Sequence, residues 1–184
     1  MQHDIDALMR AYDGPVPGAS VLVLRDGQPI VRRSYGLADL EHDVAATPGT
    51  HYRLASVSKQ FTATAILLLM EDGRLTLDDP ARRWLPSLPE AAGAVTIRHL
   101  LTHTSGVIDY EDVMDPAETR QVHDADVLRL LEAQDRTYFA PGSGYRYSNS
   151  GYALLALIVE RAWGHRYADF LRQRIFLPLG MADA

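Results

Sequence analysis

The chain has 184 residues, of which 47% are hydrophobic and 23% charged, an ordinary globular composition that excludes a disordered or fibrous protein. Its formal net charge of −6 argues against a basic groove for nucleic acid or a polybasic membrane-binding surface, because both need clustered Lys and Arg. The absence of Cys excludes disulfides, thiolate metal sites and a cysteine nucleophile. We therefore expect small molecules or peptides as partners, with no nucleic acid and no membrane.

The first residues lack the features of a signal peptide, because Asp4 and Asp6 stand where a cationic segment should precede an apolar one. The longest apolar runs, around residues 65–70 and 153–159, are far shorter than the roughly 18 residues of a membrane-spanning helix. We expect a soluble protein, with the cytoplasm as the default location.

The first fifty residues predict a short helix followed by a β-hairpin. Apolar residues at helical spacing over 5–12 predict the helix, and the Pro- and Gly-rich segment 13–18 ends it. Strands are predicted over 19–25 and 30–35, joined by Asp26-Gly27, a dipeptide that favours a tight turn. Since an isolated hairpin is only marginally stable in water, we expect this one to belong to a larger antiparallel sheet.

The rest of the chain predicts helices. The spacing of apolar residues predicts a buried helix from Ser56 to the stop at Asp72-Gly73, followed by a proline-rich loop region. Residues 138–144 are predicted as a loop. Four further helices are predicted: one from the N-cap Thr96 through Leu101 and closed by Gly106, and others over 125–134, 152–163 (stopped by Gly164) and 167–176.

Two strands followed by helices give no alternating β-α-β rhythm, which argues against a doubly wound sheet or a β/α barrel. The remaining fold class is α+β, with fewer strands than such a fold needs. We predict a single domain over residues 1–184, with an N-terminal helix and hairpin lobe over 1–50 and a mainly helical lobe over 51–184.

Ser56 and Lys59 are the first candidates for chemistry. Lys59 is the single Lys among 18 cationic residues, and Ser56 lies three residues before it, on the same face of a helix. A serine becomes a nucleophile when a base takes its proton; a lysine can be that base where its pKa is lowered, whereas an arginine does not deprotonate. A Ser at a helix start is also a common N-cap, but nine Ser in 184 residues make this spacing to a single Lys about a 5% coincidence.

Tyr147 and Asn149 are the second pair of candidates. Asn149 is the single Asn of the chain and stands in the loop before the predicted 152–163 helix. In a functional interpretation, the Tyr147 hydroxyl exchanges a proton with Lys59 and Ser56, and the Asn149 amide binds substrate. The alternative is a turn asparagine that caps the next helix.

Two further patterns are weaker indications of a zinc site and of a second nucleophile. His99 and His103 are four residues apart, as in a zinc site, but Leu100 stands where a zinc protease has its Glu base. We therefore expect no metal, and expect His103 to cap or pack. Ser143, between two glycines, lacks the spacing and the preceding strand of a nucleophile elbow and is predicted as loop. No cofactor is expected.

The order Ser56-x-x-Lys59 and Tyr147-x-Asn149 resembles the serine β-lactamases and penicillin-binding proteins. The likeness is to the class C branch, which includes esterases and D-alanyl-D-alanine carboxypeptidases and has Tyr-x-Asn as its second motif. It runs through nearly the whole chain. Further segments that resemble the family are Pro17-Gly18-Ala19-Ser20-Val21, Tyr35-Gly36-Leu37-Ala38-Asp39, residues 100–106, Pro141-Gly142 and Pro178-Leu179-Gly180-Met181.

The resemblance implies a β-lactamase/transpeptidase-like α+β fold and a serine hydrolase. In this family Ser56 would be the acylated nucleophile, Lys59 its proton partner, Tyr147 the general base and acid, and Asn149 a substrate-orienting amide. The substrate would be a β-lactam, a D-Ala-D-Ala peptide or a small ester, cleaved through an acyl-serine intermediate. Members of the family are often exported.

The sequence departs from the family pattern in its third motif, a Lys- or His-x-Gly on a sheet strand. No Lys follows Lys59, and none of the seven His has a Gly two places on. Family chains are also about twice as long, so we expect the N-terminal portion of such a domain, with the C-terminal strands missing and the hairpin edge open to self-association. The alternative function is a non-catalytic penicillin-recognising or interaction module.

Overall fold

The computed structural model describes residues 2–183, and the chain divides into two compact units, Met1–Leu54 and Ala55–Ala184.

The first unit begins with helix α1 (Gln2–Leu8), which continues as a 3-10 turn over Met9–Tyr12. Strands β1 (Ala19–Arg25) and β2 (Gln28–Tyr35) form an antiparallel hairpin, which confirms the predicted pair. Both turn residues have positive φ, +50° at Asp26 and +74° at Gly27, as a tight type I′ turn requires.

Two further strands, β3 (Leu37–Asp39) and β4 (Val44–Ala45), pair with each other and were not predicted, since they are too short to show an alternating pattern. Over residues 2–183 the hairpin remains a two-stranded sheet, so the larger sheet expected around it is not found in this part of the chain. Leu22 and Leu24 of β1 are consequently 59% and 56% exposed.

The second unit is helical and is built around one long helix, α6. Helix α6 packs against α2, α4 and α5, and it contributes Leu154, Leu155, Ile158 and Val159 to the core. The helices are α2 (Lys59–Glu71), α3 (Ala81–Trp84), α4 (Ile97–Leu101), α5 (Asp124–Glu132), α6 (Asn149–Trp163) and α7 (Tyr167–Leu171), the last followed by a π-helical turn over Arg172–Phe176.

Most predicted helix ends lie close to the observed ones. Helix α2 ends just before Asp72-Gly73, α6 ends at Gly164 with φ of +87°, and Thr96 caps α4 by accepting a hydrogen bond from the His99 N–H. The prediction that Gly106 closes α4 is wrong. The helix ends at Leu101, and the left-handed residue that follows it is His103, with φ of +58°.

The start of α6 also differs from the prediction, because the helix begins at Asn149 and not near Tyr152. The N-cap is Ser148, whose Oγ accepts a hydrogen bond of 3.1 Å from the Gly151 N–H. The alternative in which Asn149 caps the helix is therefore wrong. Asn149 lies in the first helical turn, which leaves its side chain free for other contacts.

Candidate active site

Ser56 and Lys59 lie at the entrance to α2. Ser56 belongs to a 3-10 turn over Ala55–Ser58, and Lys59 is the first residue of the helix. The Lys59 Nζ donates a hydrogen bond of 3.2 Å to the Ser56 Oγ. Ala55 has φ of +47°, a backbone conformation that residues with a Cβ adopt only at a cost in energy. Ser56 thus follows a strained backbone residue.

Tyr147 and Asn149 reach the same place from the start of α6. The Tyr147 hydroxyl donates a hydrogen bond of 2.6 Å to the Ser56 Oγ, and the Asn149 Oδ1 accepts one of 2.7 Å from the Lys59 Nζ. The structure therefore brings together all four residues that the two sequence motifs single out, across about 90 residues of chain.

Lys59 and Ser56 also act on the acidity of Tyr147. Hydrogen bonding by Lys59 first, and by Ser56 second, lowers the pKa of the Tyr147 phenol. The Lys59 Nζ lies 4.8 Å from the centroid of the Tyr147 ring, so its positive charge adds to the stabilisation of a phenolate. A phenol with a lowered pKa can exchange a proton with Ser56 more readily near neutral pH.

The Asn149 amide is held between two charged groups. Its Oδ1 faces the Lys59 ammonium, which can only donate, and its Nδ2 donates a hydrogen bond of 2.9 Å to the Glu111 carboxylate, which accepts. These two partners define which way the amide points. One Nδ2 hydrogen is left for another acceptor.

Asp109 and Ser150 fix the backbone around Asn149. The buried Asp109 carboxylate accepts a hydrogen bond of 2.7 Å from the Asn149 N–H, at the positive end of α6. The Ser150 Oγ accepts one of 2.7 Å from the Tyr110 N–H. Segment 109–111 therefore anchors the first turn of α6, which carries Asn149.

Asp109 and Glu111 were not predicted as site residues. Acidic residues number 24 in this chain, so neither was distinguished by rarity in the way that Lys59 and Asn149 were. The run Asp109-Tyr110-Glu111-Asp112, which begins three residues after the end of the 100–106 segment, was the available signal.

The two histidines considered for zinc have separate roles. The His99 Nδ1 accepts a hydrogen bond of 3.3 Å from the Thr96 N–H, and the His103 Nδ1 accepts one of 3.2 Å from the Ser148 N–H. Over residues 2–183, no group of three or more His, Asp or Glu side chains is arranged to hold a metal ion. His103 packs against Tyr147, with ring centroids 4.5 Å apart, in agreement with the expectation that it caps or packs.

Ser143 lies in a loop, which confirms that prediction. Its Oγ donates a hydrogen bond of 2.7 Å to the Ala140 carbonyl, so the hydroxyl closes a local turn.

In the part of the chain that the structure covers, no helix is long and apolar enough to cross a membrane.

The fold and the four clustered side chains agree with a match of residues 3–184 to the family described as Beta-lactamase. The chain belongs to this family. The family match and the solved structures below also confirm the predicted fold class, an α+β β-lactamase/transpeptidase-like fold.

Three similar proteins illustrate the range of the family. Penicillin-binding protein 4* of Bacillus subtilis (strain 168) is 41% identical over 167 residues, which cover 89% of this chain and 37% of that protein. Esterase EstB of Burkholderia gladioli is 40% identical over 182 residues, covering 90% of this chain and 46% of the esterase. The structure of D-amino acid amidase from Ochrobactrum anthropi SV3 with L-phenylalanine gives a TM-score of 0.81 at 34% identity, covering 99% of this chain and 49% of the amidase. The chain thus spans less than half the length of each relative.

Proposed function

We propose that this chain carries the nucleophile and proton-transfer groups of a serine hydrolase that cleaves an amide or an ester. The observation that supports this proposal most directly is the environment of the Ser56 Oγ, which lies 3.2 Å from the Lys59 Nζ and 2.6 Å from the Tyr147 hydroxyl. Once the Tyr147 hydroxyl has lost its own proton, the phenolate lies within hydrogen-bond distance of the Ser56 hydroxyl and can accept its proton.

In the proposed acylation step, the Ser56 Oγ forms a bond to the substrate carbonyl carbon. The Tyr147 phenolate, stabilised by the Lys59 ammonium, accepts the Ser56 proton and passes it to the leaving nitrogen or oxygen as the C–N or C–O bond breaks. Water then attacks the acyl-serine, its proton returns through Tyr147, and the Ser56 hydroxyl is regenerated with release of the acid.

The proposed substrates follow from the relatives, which include a penicillin-binding protein, an esterase and a D-amino acid amidase. A β-lactam, a D-Ala-D-Ala peptide and a small ester share the acyl carbon that Ser56 would attack. The free Nδ2 hydrogen of Asn149 would donate to a substrate acceptor and orient that carbon.

Acylation of the chain by a fluorescent penicillin, and its phosphonylation by a fluorophosphonate, test the proposal. We expect intact mass spectrometry to find one covalent adduct per chain, peptide mapping to place it on Ser56, and Ser56→Ala to abolish it. Ser58→Ala is the matched control, since Ser58 lies in the same turn, and it should keep the adduct.

The alternative function gives a different result. A non-catalytic penicillin-recognising module would bind the penicillin reversibly, with no mass adduct from either reagent. An adduct that persists in Ser56→Ala would also overturn the proposal.

A further inference from the structure

His103 occupies a backbone position that favours glycine. It follows α4 with φ of +58°, in a helix-terminating motif closed by hydrogen bonds from the Thr104 N–H to the His99 carbonyl (2.9 Å) and from the His103 N–H to the Leu100 carbonyl (3.4 Å). Glycine is the usual residue at this position because a Cβ is unfavourable there. A histidine at this position indicates that its side chain makes contacts that offset the unfavourable backbone conformation.

That side chain contacts the segment that carries Tyr147. The imidazole packs against the Tyr147 ring at a centroid distance of 4.5 Å, and its Nδ1 accepts the Ser148 N–H at 3.2 Å. The His103 carbonyl accepts the Arg146 N–H at 3.0 Å. His103 therefore contacts Tyr147 and both of its chain neighbours, and its ring also lies 5.2 Å from that of Tyr152.

We propose that His103 is a positioning residue which, in its neutral form, holds the Tyr147 hydroxyl against Ser56, and that protonation of His103 releases this hold. The inference rests on the proposed function in assigning the proton transfer to Tyr147. Because Nδ1 accepts a hydrogen bond from the backbone, the ring proton must lie on Nε2. A second proton on Nδ1 would place two donors face to face and break the bond to Ser148.

The charges around His103 favour the neutral ring. Burial first, and then the positive charge of Lys59, lower the pKa of the His103 imidazole, while Asp109 acts in the opposite direction. The groups that face the ring are Lys59 from α2, Asp109 from the segment after α4, and the phenols of Tyr145, Tyr147 and Tyr152 from the start of α6 and the loop before it.

Two variants separate positioning from general stability. His103→Gly relaxes the backbone but removes both the ring and the acceptor, whereas His103→Asn keeps an acceptor on a residue that tolerates positive φ. The readouts are the NMR titration of the Tyr147 phenol, assigned with Tyr147→Phe, and the rate of acylation by the fluorescent penicillin as a function of pH.

In His103→Gly we expect the Tyr147 phenol to titrate at higher pH than in the parent and acylation to slow about 10²-fold, the cost of misplacing a reacting group, with little change in melting temperature. In His103→Asn we expect acylation within about tenfold of the parent and no loss of rate from histidine protonation at acid pH.

Unchanged phenol titration and acylation in His103→Gly would overturn the inference. So would an Asn variant no better than the Gly variant. The phenol titration needs no activity, so a shifted titration in a chain that is never acylated would support the role of His103 while overturning the proposed function.

Discussion

Each of the two hydrogen-bond partners of the Ser56 hydroxyl has a different part in the proposed chemistry. The Lys59 Nζ contacts both the Ser56 Oγ and the Asn149 Oδ1, so it links the nucleophile to the substrate-orienting amide. The Tyr147 hydroxyl contacts the Ser56 Oγ directly. Substitutions at these two positions therefore probe separate functions.

Lys59→Arg tests whether a compact ammonium group is needed at this position. The guanidinium keeps the positive charge, but its planar shape does not reproduce the two contacts of the Lys59 Nζ, with the Ser56 Oγ and the Asn149 Oδ1. We expect the fold to be retained and acylation of Ser56 to fall about 10²-fold or more, measured by stopped-flow fluorescence with a labelled penicillin. Acylation within about tenfold of the parent would exclude this role for Lys59.

Tyr147→Phe removes one hydroxyl from a side chain that is 43% exposed. We expect turnover to fall by roughly 10²- to 10⁴-fold, the usual contribution of a positioned acid or base, with little change in melting temperature. Tyr145→Phe is the matched control, because Tyr145 is a neighbouring tyrosine with 69% exposure and should tolerate the change. A loss of stability that accounts for the loss of activity would indicate a structural role instead.

At the scale of elements, the ends of helices position the site. Ser56 and Lys59 lie at the entrance to α2, His103 follows the end of α4, and Asn149 opens α6. Helix ends carry backbone groups without partners in the helix, so they bind side chains such as Asp109 at fixed distances. Helix α5 shows the same principle away from the site.

Asp126 near the start of α5 should make stability depend on pH. The hydrogen bond from the His123 N–H first, and that from Arg120 second, lower the pKa of Asp126 from 3.8 to about 2, and Arg129 contributes a further ion pair. A carboxylate with a lowered pKa stabilises the fold above its unfolded pKa, and this stabilisation is lost as pH falls from 3.8 towards 2.

We therefore expect Asp126→Asn to unfold at lower urea concentration at pH 7 and to lose less further stability between pH 4 and pH 2 than the parent does, measured by circular dichroism. Asp124→Asn is the control with the opposite sign, since partial desolvation first, and the negative charge of Glu160 second, raise the pKa of Asp124, so that its charged form opposes folding. Equal stability of Asp126→Asn and the parent at pH 7 would contradict this account of α5.

The sequence predicted elements whose signals are long or chemically distinct. The hairpin had its Asp26-Gly27 turn, and α6 had a long apolar face ending at Gly164. The strands β3 and β4 and the four-residue α3 are too short for a periodic pattern. Gly106 was predicted as the end of α4 because glycine is the usual residue at the left-handed position that His103 occupies.

The candidate site was predictable to a similar extent. Lys59 and Asn149 were found because each residue type occurs once, and the structure places both beside Ser56 and Tyr147. Asp109, Glu111 and the hydrogen bond of His103 depend on contacts between segments far apart in the chain, which no local pattern encodes.

At the scale of the whole molecule, the two units differ in how completely they bury their apolar residues. Helices α2, α4, α5 and α6 enclose a core in the second unit, with Ile66, Leu69 and Leu100 fully buried. In the first unit the hairpin leaves Leu22 and Leu24 exposed, next to strand edges without a further strand over residues 2–183. Such an edge is open to pairing with another chain.

We propose that the chain self-associates through the β1–β2 hairpin. Sedimentation velocity should find a larger species that grows with protein concentration, and Leu22→Lys with Leu24→Lys should return the chain to a monomer, because edge charges oppose strand pairing. Leu67→Lys, at an exposed leucine of α2, is the control and should leave the association unchanged. A parent chain that is monomeric at every concentration would contradict the proposal.

Ser56 is proposed to become covalently acylated during turnover, and pre-steady-state kinetics with a chromogenic nitrophenyl ester test this step most directly. We expect a burst of about one equivalent of nitrophenolate per chain before the steady state, absent in Ser56→Ala and slowed in Tyr147→Phe. Release of nitrophenolate at the same rate in the parent and in Ser56→Ala would contradict it.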